Sequence, residues 1–229
     1  MNEDIVPKLL DEIKKEFNTK FNKSEVIKRL LKEQKNYKNA YEFAKETGVI
    51  LSEVLGDKIS AQVLPDSRMY YNIADRILND VLGNNHKIVT SYLETVQSFV
   101  NKSANINLKP KSPKINQDKV NGFVNRLNSE ENFDDVKWIL KDPVVNFTQS
   151  VVDDFIMTNV DFHAKVGLVP KLTRTVVAGC CEFCEKLAGM YTYPVDKKIY
   201  MRHNNCYCIV EYHPKDSRGI QSSHTKMWR

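Results

Sequence analysis

The cysteines of this 229-residue chain are confined to its last quarter, where their spacing is that of metal ligands. Cys181 and Cys184 form a C-x-x-C pair, and a second group follows in which His203 precedes Cys206 and Cys208. The short spacing lets one turn direct two side chains at one ion, and the longer gap lets a hairpin bring the second group alongside. Zinc prefers four tetrahedral thiolate or imidazole ligands. The pattern therefore predicts a structural Zn²⁺ site with five candidate ligands: Cys181, Cys184, His203, Cys206 and Cys208.

Five candidates for four positions leave the last ligand open. We expect the first three and either Cys206 or Cys208, because a turn at Asn204-Asn205 can aim either sulfur at the ion. Cys180 is expected to pack as a small hydrophobic residue. Two alternatives remain: reduced buried cysteines without metal, and a redox-active C-x-x-C pair. The redox alternative is disfavoured because no βαβ pattern surrounds the pair.

Catalytic motifs are missing from the sequence. A predicted site with ligands to spare and no open coordination position indicates a structural metal. A zinc deaminase needs H-x-E before P-C-x-x-C, whereas here the histidine follows the cysteine pair and has no glutamate beside it. The sequence contains no H-E-x-x-H motif, no nucleophile elbow and no glycine-rich phosphate loop. We expect no enzyme, and we expect surface positions for the remaining histidines: His86, His163, His213 and His224.

The segments that must position this site begin with helices. Apolar residues recur at helical spacing along the first hundred residues, starting with Val6, Leu9, Leu10, Ile13 and Phe17. Ser24 is a candidate N-cap for a second helix. Gly48 and Gly83 are expected to end helices, with a separate short helix over 49–59. Pro143 is expected to open a long later helix.

A proline-punctuated segment then separates two helical regions. It reads NKSANINLKPKSPKINQ, with two prolines and four lysines, and predicts a solvated tether or an arm lying over another surface. After it, LTRTVV, IYM and CIVEY predict three short strands. The expected fold class is α+β, mostly α, with a small zinc-stapled β module at the C-terminus. The predicted organisation is a helical region (1–101), an extended linker or arm (102–116), a second helical region (117–170) and the Cys/His zinc-binding β module with a polar tail (171–229).

Positive charge is concentrated towards the end of the chain. The formal net charge is +5, and from Ala164 onward 11 basic residues face 5 acidic ones. This excess favours an anionic partner such as DNA, with an ordinary solvated surface as the alternative. No apolar run of membrane-spanning length occurs, so we expect no membrane partner. The first residues, MNEDIVPKLL, lack the apolar core of a secretory signal, which predicts a protein retained in a cytoplasm.

The cysteine region resembles a known family. Its string C-x-x-C-x-x-L-A-G-x-Y-x-Y, followed by R-H-x-N-C-x-C-x-V-x-Y, is similar to the end of phage minor head (head morphogenesis) proteins of the Mu F and SPP1 type. The specific match covers roughly residues 173–214, and the helical part agrees only in general character. One departure is the lead-in to His203, where many members have P-P-x-H and this chain has Tyr200-Met201-Arg202.

The resemblance implies a structural protein of the virion. Such proteins are present in few copies inside the capsid, associate with the portal protein and capsid components, and act in head morphogenesis and DNA delivery. They would be found in the host cytoplasm during assembly, and non-specific DNA contact is compatible with the basic end. A zinc-dependent nucleic-acid-binding protein is the alternative. It is disfavoured because neither a helix-turn-helix nor classical finger spacing occurs.

Overall fold

A mostly helical body carries a small antiparallel sheet near the end of the chain. This computed structural model describes residues 4–177, 179–203 and 205–214. Its helices are α1 Val6–Lys23, α2 Glu25–Lys32, α3 Tyr37–Lys58, α4 Tyr71–Ser103, α5 Gln117–Leu127, α6 Asp142–Lys165 and α7 Glu182–Lys186. Its strands are β1 Lys171–Thr175, β2 Gly189–Thr192 and β3 Ile209–His213. The predicted α+β, mostly α class is therefore confirmed.

Local signals account for the first helices. The predicted stripe of α1 is buried at four of its five positions, Val6, Leu9, Ile13 and Phe17. The hydroxyl of Ser24 accepts a hydrogen bond from the backbone N–H of Ile27 at 3.2 Å, which is the expected cap of α2. Within the described ranges no helix is both long and apolar enough to cross a bilayer.

Two glycines behave differently from the prediction that they end helices. Gly48 lies inside α3, and Gly83 lies inside the 33-residue α4. A Cβ placed on Gly48 would come within 3.0 Å of Val145 Cα and Thr148 Cβ on α6. The glycine therefore permits the close approach of α3 and α6, the most extensively packed pair of helices. Gly83 has open space around it, so continued packing along α4 overrides its weak helix propensity of about 1 kcal/mol.

The proline-punctuated segment is held against its own chain. Residues 106–116 form neither helix nor strand. The side-chain amide of Asn159, fully buried on α6, accepts a hydrogen bond from the backbone N–H of Lys111 and donates one to the Lys111 carbonyl, both at 2.9 Å. Ser112 also donates to Glu94 on α4 at 2.5 Å. The surface on which this segment lies is thus formed by α4 and α6.

The three strands form one sheet in the order β2-β1-β3, with both pairings antiparallel. Of the three predicted strands, the first and last are present, but the IYM segment forms a short 3₁₀ turn. Its Ile199 and Tyr200 are buried, whereas β2 is largely solvent-exposed and so lacks an apolar signature. The sheet packs through β3 on α3 and α6, which places the cysteine loops beside the helical body.

Candidate metal centre

One turn of helix presents the first ligand pair. Cys181 has an extended backbone conformation and precedes α7, and its carbonyl accepts a hydrogen bond from the backbone N–H of Glu185 at 3.1 Å. Cys184 therefore lies one turn further on the same side of the chain. Cys184 is fully buried, whereas Cys181 is exposed. The C-x-x-C spacing thus directs one sulfur into the module and one towards its surface.

A tight turn presents the second group. Asn205 has a φ of +60°, and the backbone N–H of Cys206 donates to the His203 carbonyl at 3.2 Å. Cys206 and Cys208 are each 2% exposed, while Tyr207 between them is half-exposed. Residues two apart on an extended chain share a side, so the turn aims both sulfurs inward rather than one of them.

These elements bring all five predicted residues together in two overlapping groups. Cys181, Cys184 and His203 form one, and Cys184, Cys206 and Cys208 form the other. Within each group, the potential ligand atoms lie within 4.8 Å of one another. Cys184 belongs to both, so it is the centre of the arrangement. The Cys/His cluster can bind a metal ion.

The interatomic distances are those of neighbouring ligands on one ion. His203 Nε2 lies 3.2 Å from the sulfurs of both Cys181 and Cys184, and the Cys184 and Cys206 sulfurs are 3.8 Å apart. Two sulfurs each 2.3 Å from a tetrahedral ion are about 3.8 Å apart. Cys180 belongs to neither group; it is partly buried and packs against the buried cysteines, as predicted.

The surroundings shift the pKa values of the three buried thiols in different directions when no metal is bound. Burial raises the pKa of the Cys184 and Cys208 thiols. Burial acts in the same direction on Cys206, but the Cys208 backbone N–H and the Arg202 guanidinium outweigh it and lower the Cys206 pKa. A coordinating thiol is deprotonated, so metal binding here releases protons into solvent.

Two buried guanidinium groups flank the cluster, and the sequence reasoning gave neither a role. The Arg202 side chain donates to the Asp153 carboxylate on α6 and to the carbonyls of Cys206 and Cys208, at 3.3 and 2.8 Å. Arg174, on β1, donates to backbone carbonyls and approaches the Cys184 sulfur at 3.7 Å. The sequence signal for Arg174 was its position in the alternating strand segment, where it shares a face with the apolar Leu172 and Val176.

The prediction that His163 lies on the surface is wrong. Its side chain is fully buried on the face of α6 that meets β3, and its Nδ1 forms a hydrogen bond with the Tyr212 hydroxyl. Burial lowers its pKa. Of the other histidines, His213 is exposed, His86 is partly buried, and His224 lies outside the described residues. His163 thus helps to join the sheet to the body rather than to build the cluster.

An open groove runs beside the cluster. It has a volume of 1140 Å³ and lies between α5, α6 and the cysteine module. Cys181 and His203 line it, together with the exposed apolar side chains of Trp138, Phe183 and Met201. This side of the cluster can be reached from solvent, so a small chelator can approach a bound ion from the groove.

Comparison of the chain with protein-family models, curated proteins and solved structures found no match. What the site does is therefore inferred from its own residues. The inference rests on the geometry of the candidate ligands, the two buried arginines and the motif resemblance described above.

Proposed function

We propose that the cluster is a structural zinc site and that the chain is a minor head protein of a tailed phage or prophage. The observation that carries the proposal is the set of thiol and imidazole groups at ligand spacing, built from the same C-x-x-C and H-x-x-C-x-C elements that carry the family resemblance. Zinc fits this donor set because it favours sulfur and nitrogen ligands in a tetrahedral arrangement.

The site is proposed to be structural because protein groups can fill all four positions. The module has little core of its own: Cys184, Cys206 and Cys208 form a separate small cluster of buried residues. An ion that binds these side chains joins α7 to the loop before β3. A disulfide does not make this connection, because all five cysteines are free thiols. Folding of such a module is coupled to metal binding.

Elemental analysis of protein purified without added metal tests the zinc proposal. We expect about one zinc per chain, and we expect Cys184→Ser to abolish it. Cys180→Ser is the matched control, because Cys180 is a neighbouring cysteine outside both ligand groups. Metal-free wild-type protein with reduced thiols and a folded module would refute the zinc site.

The head-protein role is supported by the motif residues, which the fold brings together in one cluster. We propose association with the portal protein and capsid components, a position inside the capsid, and action in head morphogenesis and DNA delivery without enzymatic activity. Fractionation of phage particles and of co-expressed portal assemblies tests this role. Absence of the chain from both fractions would overturn it while leaving the zinc proposal intact.

A zinc-dependent nucleic-acid-binding protein is the second candidate, motivated by the basic excess after Ala164. In the described part of this region, two of the basic side chains, Arg174 and Arg202, are buried and cannot meet phosphates. We therefore expect at most weak, sequence-independent DNA binding that falls steeply with salt. Tight binding to one sequence over random DNA would favour this candidate over the head protein.

A further inference from the structure

Arg174 is a buried cation that has no carboxylate partner among the described residues. Its side chain extends from β1 and the residue is 2% exposed. The guanidinium donates to the backbone carbonyls of Ile199 and Met201, the latter at 3.1 Å, and lies 3.7 Å from the Cys184 sulfur. Within the described ranges, no acidic side chain lies within ion-pair distance of it.

A buried charge is strongly unfavourable unless an opposite charge lies close by. The other guanidinium beside the cluster, that of Arg202, has this partner in Asp153. Arg174 contacts one group that can carry negative charge in the described part of the chain, the sulfur of Cys184, and Cys184 is the cysteine shared by both ligand groups. A metal-bound Cys184 is a thiolate and supplies that charge.

The charge count then restricts the ligand set. A divalent ion bound by two thiolates is neutral and leaves Arg174 uncompensated, and four thiolates leave a charge of −2. Three thiolates and one imidazole give −1, which a single guanidinium balances. Because Arg202 is already neutralised by Asp153, Arg174 is the buried cation beside the cluster that is available for this purpose among the described residues.

We propose that Arg174 is the charge-balancing and positioning residue of the metal centre, and that it favours a divalent ion held by three cysteine thiolates and His203. This inference rests on the proposed zinc site. Arg174 acts on the site in two ways. Its charge faces the Cys184 thiolate, and its hydrogen bonds to the carbonyls of Ile199 and Met201 hold the segment that leads to His203.

The test compares Arg174→Gln with Arg174→Lys at one fixed pH. Glutamine keeps a hydrogen-bond donor but loses the charge, whereas lysine keeps the charge. Zinc affinity is measured by competition with a chelator, with Arg76→Gln as control, because Arg76 pairs with Asp4 on the exposed surface of the helical body. We expect R174Q to bind zinc about 10–100-fold more weakly, the range found when groups supporting metal ligands are removed. R76Q should stay close to wild type, and R174K, which keeps the charge but not the forked hydrogen bonds, should lose clearly less affinity than R174Q.

Cobalt substitution of the wild-type protein adds an independent readout. A tetrahedral spectrum with charge-transfer intensity for three thiolates supports the proposal, and intensity for two or four overturns it. Zinc affinity in R174Q equal to wild type, or equal losses in R174Q and R174K, also overturns it. If R174Q folds only when zinc is supplied, the zinc concentration at which half of the protein is folded is measured instead of the affinity. The proposal requires this concentration to be higher for R174Q than for the wild type. Failure of the wild type to bind metal would instead refute the zinc site itself.

Discussion

Asp153 and Arg202 form an ion pair with side chains that are 2% and 3% exposed, and this pair joins the helical body to the loop that carries the second ligand group. Asp153 also accepts a hydrogen bond from the Tyr41 hydroxyl on α3 at 2.6 Å. Arg202 directly precedes His203, and its remaining donors reach the carbonyls of Cys206 and Cys208. One carboxylate on α6 therefore fixes the backbone of the metal-ligand loop.

Replacing Asp153 with asparagine should be strongly destabilising. The substitution leaves the Arg202 guanidinium buried and unpaired, which costs about 3–5 kcal/mol. Asp154→Asn is a matched control one residue away, since Asp154 is partly exposed and its salt bridge to Lys119 at 3.7 Å should contribute about 1 kcal/mol or less. Urea unfolding of both variants measures the difference, and equal losses would contradict a special role for the buried pair.

The fourth ligand should be Cys206 rather than Cys208. The 3.8 Å separation between the Cys184 and Cys206 sulfurs is that of two ligands on one tetrahedral ion. We expect Cys206→Ser to weaken zinc binding severely and Cys208→Ser to have a much smaller effect. Zinc stoichiometry and chelator competition distinguish the two variants, and the reverse order of effects would assign the position to Cys208.

Two glycines of α3 should respond in opposite ways to alanine. At Gly48, the added methyl group would meet the backbone of α6 at 3.0 Å, and overpacking of this kind costs about 1–3 kcal/mol. At Gly56, nothing lies within 4 Å of the added Cβ, so alanine should stabilise by about 0.5–1 kcal/mol through helix propensity. Thermal unfolding gives both signs, and a neutral Gly48→Ala would show that α3 and α6 can move apart.

Asn159 should be important for holding residues 106–116 on the helical body. Asn159→Ala removes both hydrogen bonds to the Lys111 backbone, and each contributes about 0.5–1.5 kcal/mol. Hydrogen exchange should then increase along this segment while α1 and α2 keep their protection. Unchanged exchange near Lys111 would mean that other contacts, such as Ser112 with Glu94, are enough to hold it.

The burial of His163 predicts a loss of stability on mild acidification. Its pKa in the folded protein is below the usual 6.5, so as pH falls through 6.5 the unfolded chain takes up a proton that the folded chain excludes. The free energy of unfolding therefore decreases as the pH falls from 6.5 to the pKa of His163 in the folded protein. His163→Asn should flatten this dependence in urea unfolding with saturating zinc. Parallel pH profiles for the two proteins would assign the acid sensitivity to other groups.

Local patterns predicted the parts of the molecule that local physics determines. The α1 stripe, the Ser24 cap and the convergence of the five candidate ligands follow from spacing and side-chain chemistry. Gly48 could not be read correctly, because its role depends on α6, almost a hundred residues further along the chain.

Other features escaped prediction for the same reason. Strand β2 is exposed and has no apolar alternation, so only its pairing with β1 defines it. Burial of His163 depends on β3, and burial of Asp153 depends on Tyr41 and on the loop that carries Arg202, neither of which a helical pattern reveals. Features that depend on residues of one helix or strand could be predicted from the sequence, and features that depend on contact with a distant part of the chain could not.

The strand order has a consequence for how a nascent chain matures. Strand β1 lies in the middle of the sheet but is synthesised before both of its neighbours, so it leaves the ribosome with two unpaired edges. Helices α1 to α6 are complete by then, yet Asp153 and His163 acquire Arg202 and Tyr212 only when the final strand emerges. Ribosomes stalled before β3 should therefore display a helical body with an uncovered apolar face and an unpaired edge of β1, both of which chaperones can recognise, and metal capture should mark the end of maturation.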